Sequence, residues 1–376
     1  MQFKDIIGQQ KIKESLIQTV RNNRISHAQL FLGPEGAGSL SLAIAYSQYI
    51  NCMQPTEMDS CGICSSCLKF QKLVHPDLHF SFPTVTGEKY IKKKTANDFL
   101  EFFRPALLNN PDMTDLQWLL TLDEDGKRQG NITADECRDM IRKLGLKPYE
   151  AQYKTLIIWL PEYMGNEGNI LLKLLEEPPL RTLIILVAQD SEKVIGTILS
   201  RTQLLKIPRL KDEDIITELI QQYQLSENEA GPLARVAEGN ISLARSLADT
   251  GRSDYHELFA AWMRFTYQKK LLDLNPLIEQ IVSTGKEFMK SFLAYSLQMM
   301  RAVMLSKFAN ESMIKLSDQE TSFVKKFASV FETQKIADIC AEMSRASYSL
   351  ERNADARLTF LNLSLYISRR LVKPKG

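Results

Sequence analysis

At 376 residues, 44% hydrophobic and 24% charged, with a net charge of +2 at pH 7, the chain has the make-up of an ordinary globular protein of about two or three domains. So even a charge balance excludes a broad basic field that could capture nucleic acid unaided, and leaves only a local basic strip. No apolar run reaches membrane-span length and the start, Met1-Gln-Phe-Lys-Asp5, carries no apolar leader, so the expectation is a cytoplasmic protein without a membrane partner.

In chain order, Ile12, Leu16, Ile17 and Val20 recur at helical spacing, and Ala28 to Leu32 is a short apolar run that predicts a strand. Gly33-Pro-Glu-Gly-Ala-Gly38-Ser39-Leu40 follows, ahead of an apolar helical segment from Leu42 to Ile50. Strand, glycine turn and helix thus come in the order of a phosphate-binding loop, G-x-x-x-x-G-K-[ST]. Gly33 and Gly38 keep the spacing. Ser39, however, replaces the lysine that charges the β- and γ-phosphate site, and Leu40 replaces the hydroxyl that holds Mg²⁺. Neither substitute can do that work, so the loop reads as degenerate and no nucleotide is expected in it.

Four of the six cysteines fall together as Cys52, Cys61, Cys64 and Cys67, spaced C-x8-C-x2-C-x2-C. Two C-x2-C steps aim thiolates at one point and Cys52 completes a Cys₄ shell, the closed arrangement of structural zinc. An iron–sulfur centre is the rival, but its run continues to a downstream Cys-Pro, whereas Leu68-Lys-Phe70 follows here. Cys137 and Cys340 are isolated and read as small core hydrophobes. His75 and His79 are reserve ligands should one thiolate fall short of the metal.

Residues 84–130 resist placement. Lys92, Lys93 and Lys94 offer phosphate contacts or, more simply, a solvated face. Phe99 to Phe103 and Trp118 to Leu120 are apolar, and Asp123 to Arg128 reads as a turn, since Lys127 and the lack of a closing Glu rule out a calcium loop. From 131 an αβ rhythm resumes: an amphipathic segment through Met140, Ile141 and Leu144, a buried-strand run Thr155–Ile158, a helix Asn169–Glu177 ended by Pro178-Pro179, and a second buried strand, Thr182–Ala188. Near-continuous aliphatic strands between helices predict a parallel sheet covered on both faces. Short helices occupy 211–250. Beyond about 254 only helical stripes remain, Phe288, Phe292, Tyr295, Met299 and Val303, then Leu358, Leu361 and Leu365.

Phe3-Lys-Asp-Ile-Ile-Gly-Gln9, Ser26-His-Ala28, the inserted cysteine module, Asn169-x-Leu-Leu-Lys-x-Leu-Glu-Glu-Pro-Pro179 and Ser200-Arg201 together resemble bacterial clamp-loader subunits of the AAA+ class. The resemblance runs in order over roughly residues 1–250, with a weaker echo from Asn353 to Leu365. It implies an α/β AAA+ P-loop-type domain over 1–210, with a parallel sheet, an inserted zinc module at 52–67 and an insertion at 84–130. A small helical lid domain at 211–250 and an all-α oligomerisation (collar) domain at 251–376 follow.

The departures from the active family pattern are chemical. Beyond Ser39 and Leu40, the acidic pair that holds Mg²⁺ falls on Leu160 and Pro161 once Met164 is aligned, with Glu162 displaced. Ser242 stands where a phosphate-sensing Arg belongs, with Arg245 one turn on. Arg201, in Ser200-Arg201-Thr202, is retained; in the family it is an arginine finger presented to the ATP of a neighbouring subunit. The plainer alternative is a surface ion pair. The resemblance is greatest to the non-catalytic delta-prime type of DNA polymerase III clamp-loader subunit. It implies a place in a hetero-pentamer with gamma/tau and delta types that loads the sliding clamp on primer-template DNA, with structural Zn²⁺ and no nucleotide of its own. In that setting the Lys173–Glu177 face meets neighbouring subunits, while His27 and His75 read as structural. An active gamma/tau-type ATPase and a zinc-dependent nucleic-acid-binding protein are the alternatives.

Overall fold

Five parallel strands organise the first part of the chain. They are β1 (Ala28–Leu32), β2 (Leu78–Ser81), β3 (Lys154–Trp159), β4 (Thr182–Ala188) and β5 (Gln203–Lys206), in the order β2-β3-β4-β1-β5. The computed structural model describes residues 1–376 except 88–89, 91–94, 124–127, 251, 308–315, 317, 331, 352–353 and 372–376, so the Lys92–Lys94 triplet, most of the Asp123–Arg128 turn and Asn353 lie outside the described residues. Two compact units make up the chain: Met1–Asp214 with Gly239–Ser242, and Ile215–Glu238 with Leu243–Gly376.

In the first unit every residue of β3 and β4 is buried, which is why both read as unbroken aliphatic runs rather than alternating ones. The strand period of two splits them between the faces. Leu183, Ile185 and Val187 enter one core with Phe31, Ile157 and the helix Ser39–Ile50, whereas Ile184, Leu186 and Ala188 enter the other with Leu156, Ile158, Cys137 and Met140. The helices are α1 (Gln10–Arg21), α2 (Ser39–Ile50), α3 (Ser65–Gln71), α4 (Leu100–Asn109), α5 (Asp115–Leu122), α6 (Ala134–Leu144), α7 (Leu172–Glu176) and α8 (Gly196–Leu199). All residues of α2 are buried, matching a segment apolar on every side.

Two strands escaped the sequence reading. β2 (Leu-His-Phe-Ser) is short and mixed, and β5 is an exposed edge whose Gln203 and Lys206 give no apolar run. The helix expected over 169–177 is shorter than its apolar pattern. Pro161–Leu171 forms 3₁₀ turns broken at Gly165 (φ 50°, ψ −134°), and α-helical geometry begins only at Leu172.

Described side chains of the 84–130 segment enter the core of the first unit. Phe82 stacks on Phe103 at 3.9 Å between ring centres, and Trp118 lies edge-on to both at 5.1 and 5.2 Å. Trp118 Nε1 donates to Pro83 O at 2.7 Å, Ala96 N to Glu136 Oε2 at 2.7 Å, and Tyr163 Oη to Asp115 Oδ2 at 3.0 Å. These bonds fix α4 and α5 against the sheet face that also receives α2.

The second unit is helical. It holds most of α9 (Asp212–Tyr223) and α11 (Ile241–Thr250), with α10 (Glu227–Ala237), α12 (Arg252–Gln268), α13 (Leu271–Ser283), α14 (Lys286–Leu305), α15 (Asp318–Val330), α16 (Thr333–Glu351) and α17 (Ala356–Leu371). Phe292, Tyr295, Met299 and Val303 of α14 are buried as expected from their spacing. The stripe expected on α17 is one position off. Leu358 is 59% exposed, and the buried face carries Phe360, Leu363, Ser364 and Ile367. Trp262 selects that face, packing on Phe360 and donating from Nε1 to Ser364 Oγ at 2.8 Å. Among the described residues no helix is long and apolar enough to cross a membrane.

Candidate functional site

The glycine loop leaves β1 at Gly33, whose N–H donates to Ala188 O at 3.1 Å, so it sits at the C-terminal ends of β1 and β4. Gly36 and Gly38 adopt φ of +73° and +79°, which L side chains rarely tolerate. At Gly36 a Cβ would also stand 2.0 Å from Asn240 Oδ1. Gln9 braces the loop by donating from Nε2 to Ala37 O at 3.1 Å and Pro208 O at 2.7 Å, and Asn240 Nδ2 donates to Glu35 Oε1 at 3.1 Å.

Ser39 and Leu40 both face inward. Ser39 is buried, and its Oγ would lie 2.6 Å from a Cβ on Gly33, so the hydroxyl turns back beneath the loop. Leu40 is 6% exposed and belongs to the core beneath α2. The cavity over the loop has a volume of about 30 Å³, bounded across from the glycines by Pro111, Asp112, Met113, Trp159 and Gln189. That is room for one or two waters, against the ~300–1,000 Å³ of ordinary ligand pockets.

β3 ends at Trp159 and runs straight into Leu160-Pro161-Glu162. Leu160 is a non-glycine residue at φ 60°, its N–H donating to Val187 O at 2.9 Å, and it and Pro161 are buried. Glu162 is half-buried, and its Oε2 has no hydrogen-bond partner among the described residues. Its Oε1 accepts from the N–H groups of Gln189 at 2.6 Å and Asp190 at 2.9 Å, clipping the exit of β4. Burial pushes its carboxyl above the usual range, against the pull of those N–H groups.

Arg201 sits just past α8, where Ser200 caps the turn and Thr202 Oγ1 donates to Ile198 O at 3.1 Å. Its Nε donates to Glu176 Oε1 at 2.5 Å, and its Nη1 to Thr197 O at 3.0 Å and Ser200 Oγ at 3.2 Å. Both members of the ion pair are partly open to solvent, at 32% and 48% side-chain exposure. Ser242 donates from Oγ to Asp112 O at 3.1 Å, and Arg245 is held by Glu218 at 2.8 Å and Gln222 at 3.1 Å.

The cysteine module forms one cluster. The Sγ atoms of Cys52, Cys61, Cys64 and Cys67 all lie within 4.8 Å of one another, and Cys61 and Cys67 are 3.9 Å apart. A tetrahedral site with metal–sulfur bonds of about 2.3 Å has sulfur edges of about 3.8 Å, so the four fit a zinc-sized ion. Backbone N–H groups point at the sulfurs, Cys61 N to Cys52 Sγ at 3.2 Å and Cys64 N to Cys61 Sγ at 3.4 Å. The N–H of Ile63, with those of its neighbours, brings the Cys61 thiol down to about 6, while burial pushes Cys52 and Cys67 up.

The module also holds the start of the chain. Asp59 accepts from Phe3 N at 3.1 Å and Lys4 N at 3.0 Å, and Gln2 Nε2 donates to Ser60 O at 2.6 Å. No sequence signal announced that clamp.

Neither reserve histidine joins the cluster. His75 Nδ1 accepts from Asp77 N at 3.1 Å, and Nε2 faces Glu150 Oε1 at 3.5 Å. Burial lowers its pKa, keeping it neutral. Asp77 accepts from the N–H groups of Tyr149, Glu150 and Ala151 at 2.6, 2.8 and 2.8 Å, tying the chain after α3 to the loop before β3. His27 Nε2 lies 3.0 Å from Leu175 O, a backbone partner.

A family model described as "DNA polymerase III, delta subunit" matches residues 8–211. The chain is 27% identical over 253 residues to DNA polymerase III subunit tau of Bacillus subtilis, covering 66% of this chain and 37% of that one. It is 26% identical over 214 residues to subunit delta' of the same organism, covering 57% and 52%. It therefore spans about half the length, or less, of these curated relatives. A crystal structure of a DNA polymerase III gamma subunit-related protein from Thermotoga maritima covers 96% of this chain and 99% of its own, at 16% identity and a TM-score of 0.42. With more than half of its residues matched by that model, the chain belongs to the DNA polymerase III delta-subunit family.

Proposed function

We propose that the chain is a non-catalytic AAA+ subunit of a bacterial sliding-clamp loader, of the delta-prime type, working in the cytoplasm during DNA replication. Identities of 27% to a tau subunit and 26% to a delta' subunit do not choose between active and inactive roles. The observation that carries the choice is the fate of Ser39 and Leu40: one hydroxyl folded under the loop, one aliphatic side chain spent in the core.

In-line hydrolysis needs a cation at the β- and γ-phosphates, a hydroxyl and a carboxylate on Mg²⁺, and a positioned water. Here the cation and the metal hydroxyl are replaced, one oxygen of Glu162 is committed to two backbone N–H groups, and the cavity over the loop has room for one or two waters. The catalytic contribution of this chain is then Arg201, delivered to the ATP of a neighbouring subunit. Its guanidinium is always charged and can meet two phosphate oxygens, and the exposed pair with Glu176 that it must leave is worth only about 0–1 kcal/mol.

The four cysteines hold structural Zn²⁺, which cross-links the module beside α2 and takes no part in the chemistry. In this reading residues 211–250 form the lid and 251–376 the collar that assembles with gamma/tau and delta types into a hetero-pentamer. That pentamer opens the clamp and places it on primer-template DNA. The test is turnover by the isolated chain: no MgATP hydrolysis above background is expected, and steady hydrolysis abolished by a Gly38 substitution would restore the active gamma/tau reading.

A further inference from the structure

The 84–130 segment contributes a second feature to the glycine loop. The turn between α4 and α5 brings Pro111, Asp112 and Met113 into the lining of the cavity, together with the N-terminus of α2. The turn is rigidly built. Met113 N donates to Asn110 O at 3.1 Å, Asn110 Nδ2 donates to Gln117 Oε1 at 3.0 Å, and Thr114 caps α5 through Gln117 N at 3.1 Å.

Two serines clasp it from the loop side. Ser41, in the first turn of α2, donates to Pro111 O at 3.2 Å, and Ser242 donates to Asp112 O at 3.1 Å. Both are buried, Ser41 at 3% and Ser242 at 7% exposure. Asp112 Oδ1 comes within 4.0 Å of where a Cβ on Gly38 would stand, so a carboxylate lies beside the positive end of α2. A phosphate bound at that helix end would meet both the volume of the turn and the charge of Asp112.

From this arrangement we infer that residues 111–113 are an internal plug, which narrows the glycine-loop pocket and sets the Asp112 carboxylate beside the N-terminus of α2, where phosphate would bind. The site is therefore narrowed by this turn as well as disarmed at Ser39 and Leu40. Ser242, standing where a phosphate-sensing Arg belongs, has become part of the latch. The inference deepens the reading of the chain as a subunit that hydrolyses no nucleotide, and rests on it.

Two measurements on the full chain test the plug. The first uses Asp112→Gly and Ser242→Ala, which leave the core beneath α2 untouched, and follows amide hydrogen exchange across Gly36–Ser41. Each variant should exchange there at least about tenfold faster than the native chain while α6 and β4 keep their rates; unchanged rates at Gly36–Ser41 in both variants overturn the plug. The second restores the missing residues with Ser39→Lys and Leu40→Thr and titrates MgADP by calorimetry. The pair alone should bind no tighter than about 1 mM, and adding Asp112→Gly should tighten binding at least tenfold; equal affinity with and without Asp112→Gly overturns the inference. Hydrolysis of MgATP by the native chain is a separate result, which defeats the functional reading whichever way the Asp112 variants behave.

Discussion

Arg201 and Glu176 are bound to each other at 2.5 Å, from Nε to Oε1, across 25 residues of sequence, on the two segments that follow β5's neighbour α8 and close α7. The isolated chain therefore stores its candidate finger against a carboxylate of its own. Because both side chains are partly open to solvent, the pair contributes little to folding. Arg201→Ala and Glu176→Gln should each change unfolding free energy by less than about 1 kcal/mol in urea titrations. A loss of several kcal/mol in either would recast Arg201 as a structural residue.

Removing the metal should loosen the start of the chain before anything else. The cysteine module holds Gln2, Phe3 and Lys4 through Asp59 and Ser60, so its collapse releases that contact as a unit. Purified protein should contain one zinc per chain. Stripping it with a chelator, or Cys64→Ser, should lower Tm by more than about 5 °C and raise amide exchange at Phe3 and Lys4. A full-strength fold after complete chelation would make the cysteine cluster incidental.

The aromatic cluster gives residues 84–130 a measurable weight. Phe103 and Trp118 are fully buried, with Phe82 and Trp159 as ring partners. Phe103→Ala should destabilise the first unit by about 3–5 kcal/mol. Excision of 96–122 should prevent it from folding, as read by loss of near-UV circular dichroism. A stable, native-like chain lacking those residues would show them to be a removable insertion.

Acid should weaken the first unit through His79. Burial, followed by Lys143 and Lys154, lowers its pKa to about 4, against the counter-pull of Asp77 and Asp139. The unfolded chain takes up the proton near pH 6.5 and the folded one near 4, so stability is full above 6.5 and is lost as pH falls through that window. The loss at pH 5 is about 2 kcal/mol. His75, also lowered by burial, adds to the same slope. His79→Gln should flatten the difference between pH 7 and pH 5 in part; an unaltered slope would place His79 among solvated groups.

How much of this was written in the sequence depended on whether a feature was local. The runs Thr155–Ile158 and Thr182–Ala188 announced strands because a strand buried on both faces has no polar positions to obscure it. The spacing of Cys52, Cys61, Cys64 and Cys67 foretold their convergence, since short steps leave a thiolate few places to go. Leu358 misled because α17 buries its neighbours Phe360 and Ser364, a choice made by Trp262 far away in the chain. β5 and the clamp of Asp59 on Phe3 are equally non-local. The latch of Ser242 on Asp112 spans 130 residues, and no period or motif could have shown it.

If Arg201 serves the ATP of a neighbouring subunit, this chain acts on a nucleotide it does not hold. The most direct measurement is ATPase of the complex reconstituted from the cognate loader subunits, with native chain or Arg201→Ala, at matched assembly by sedimentation. Both should assemble fully, and the variant should lose about 10³-fold in turnover at the affected site. Unchanged turnover in a fully assembled Arg201→Ala complex would contradict it.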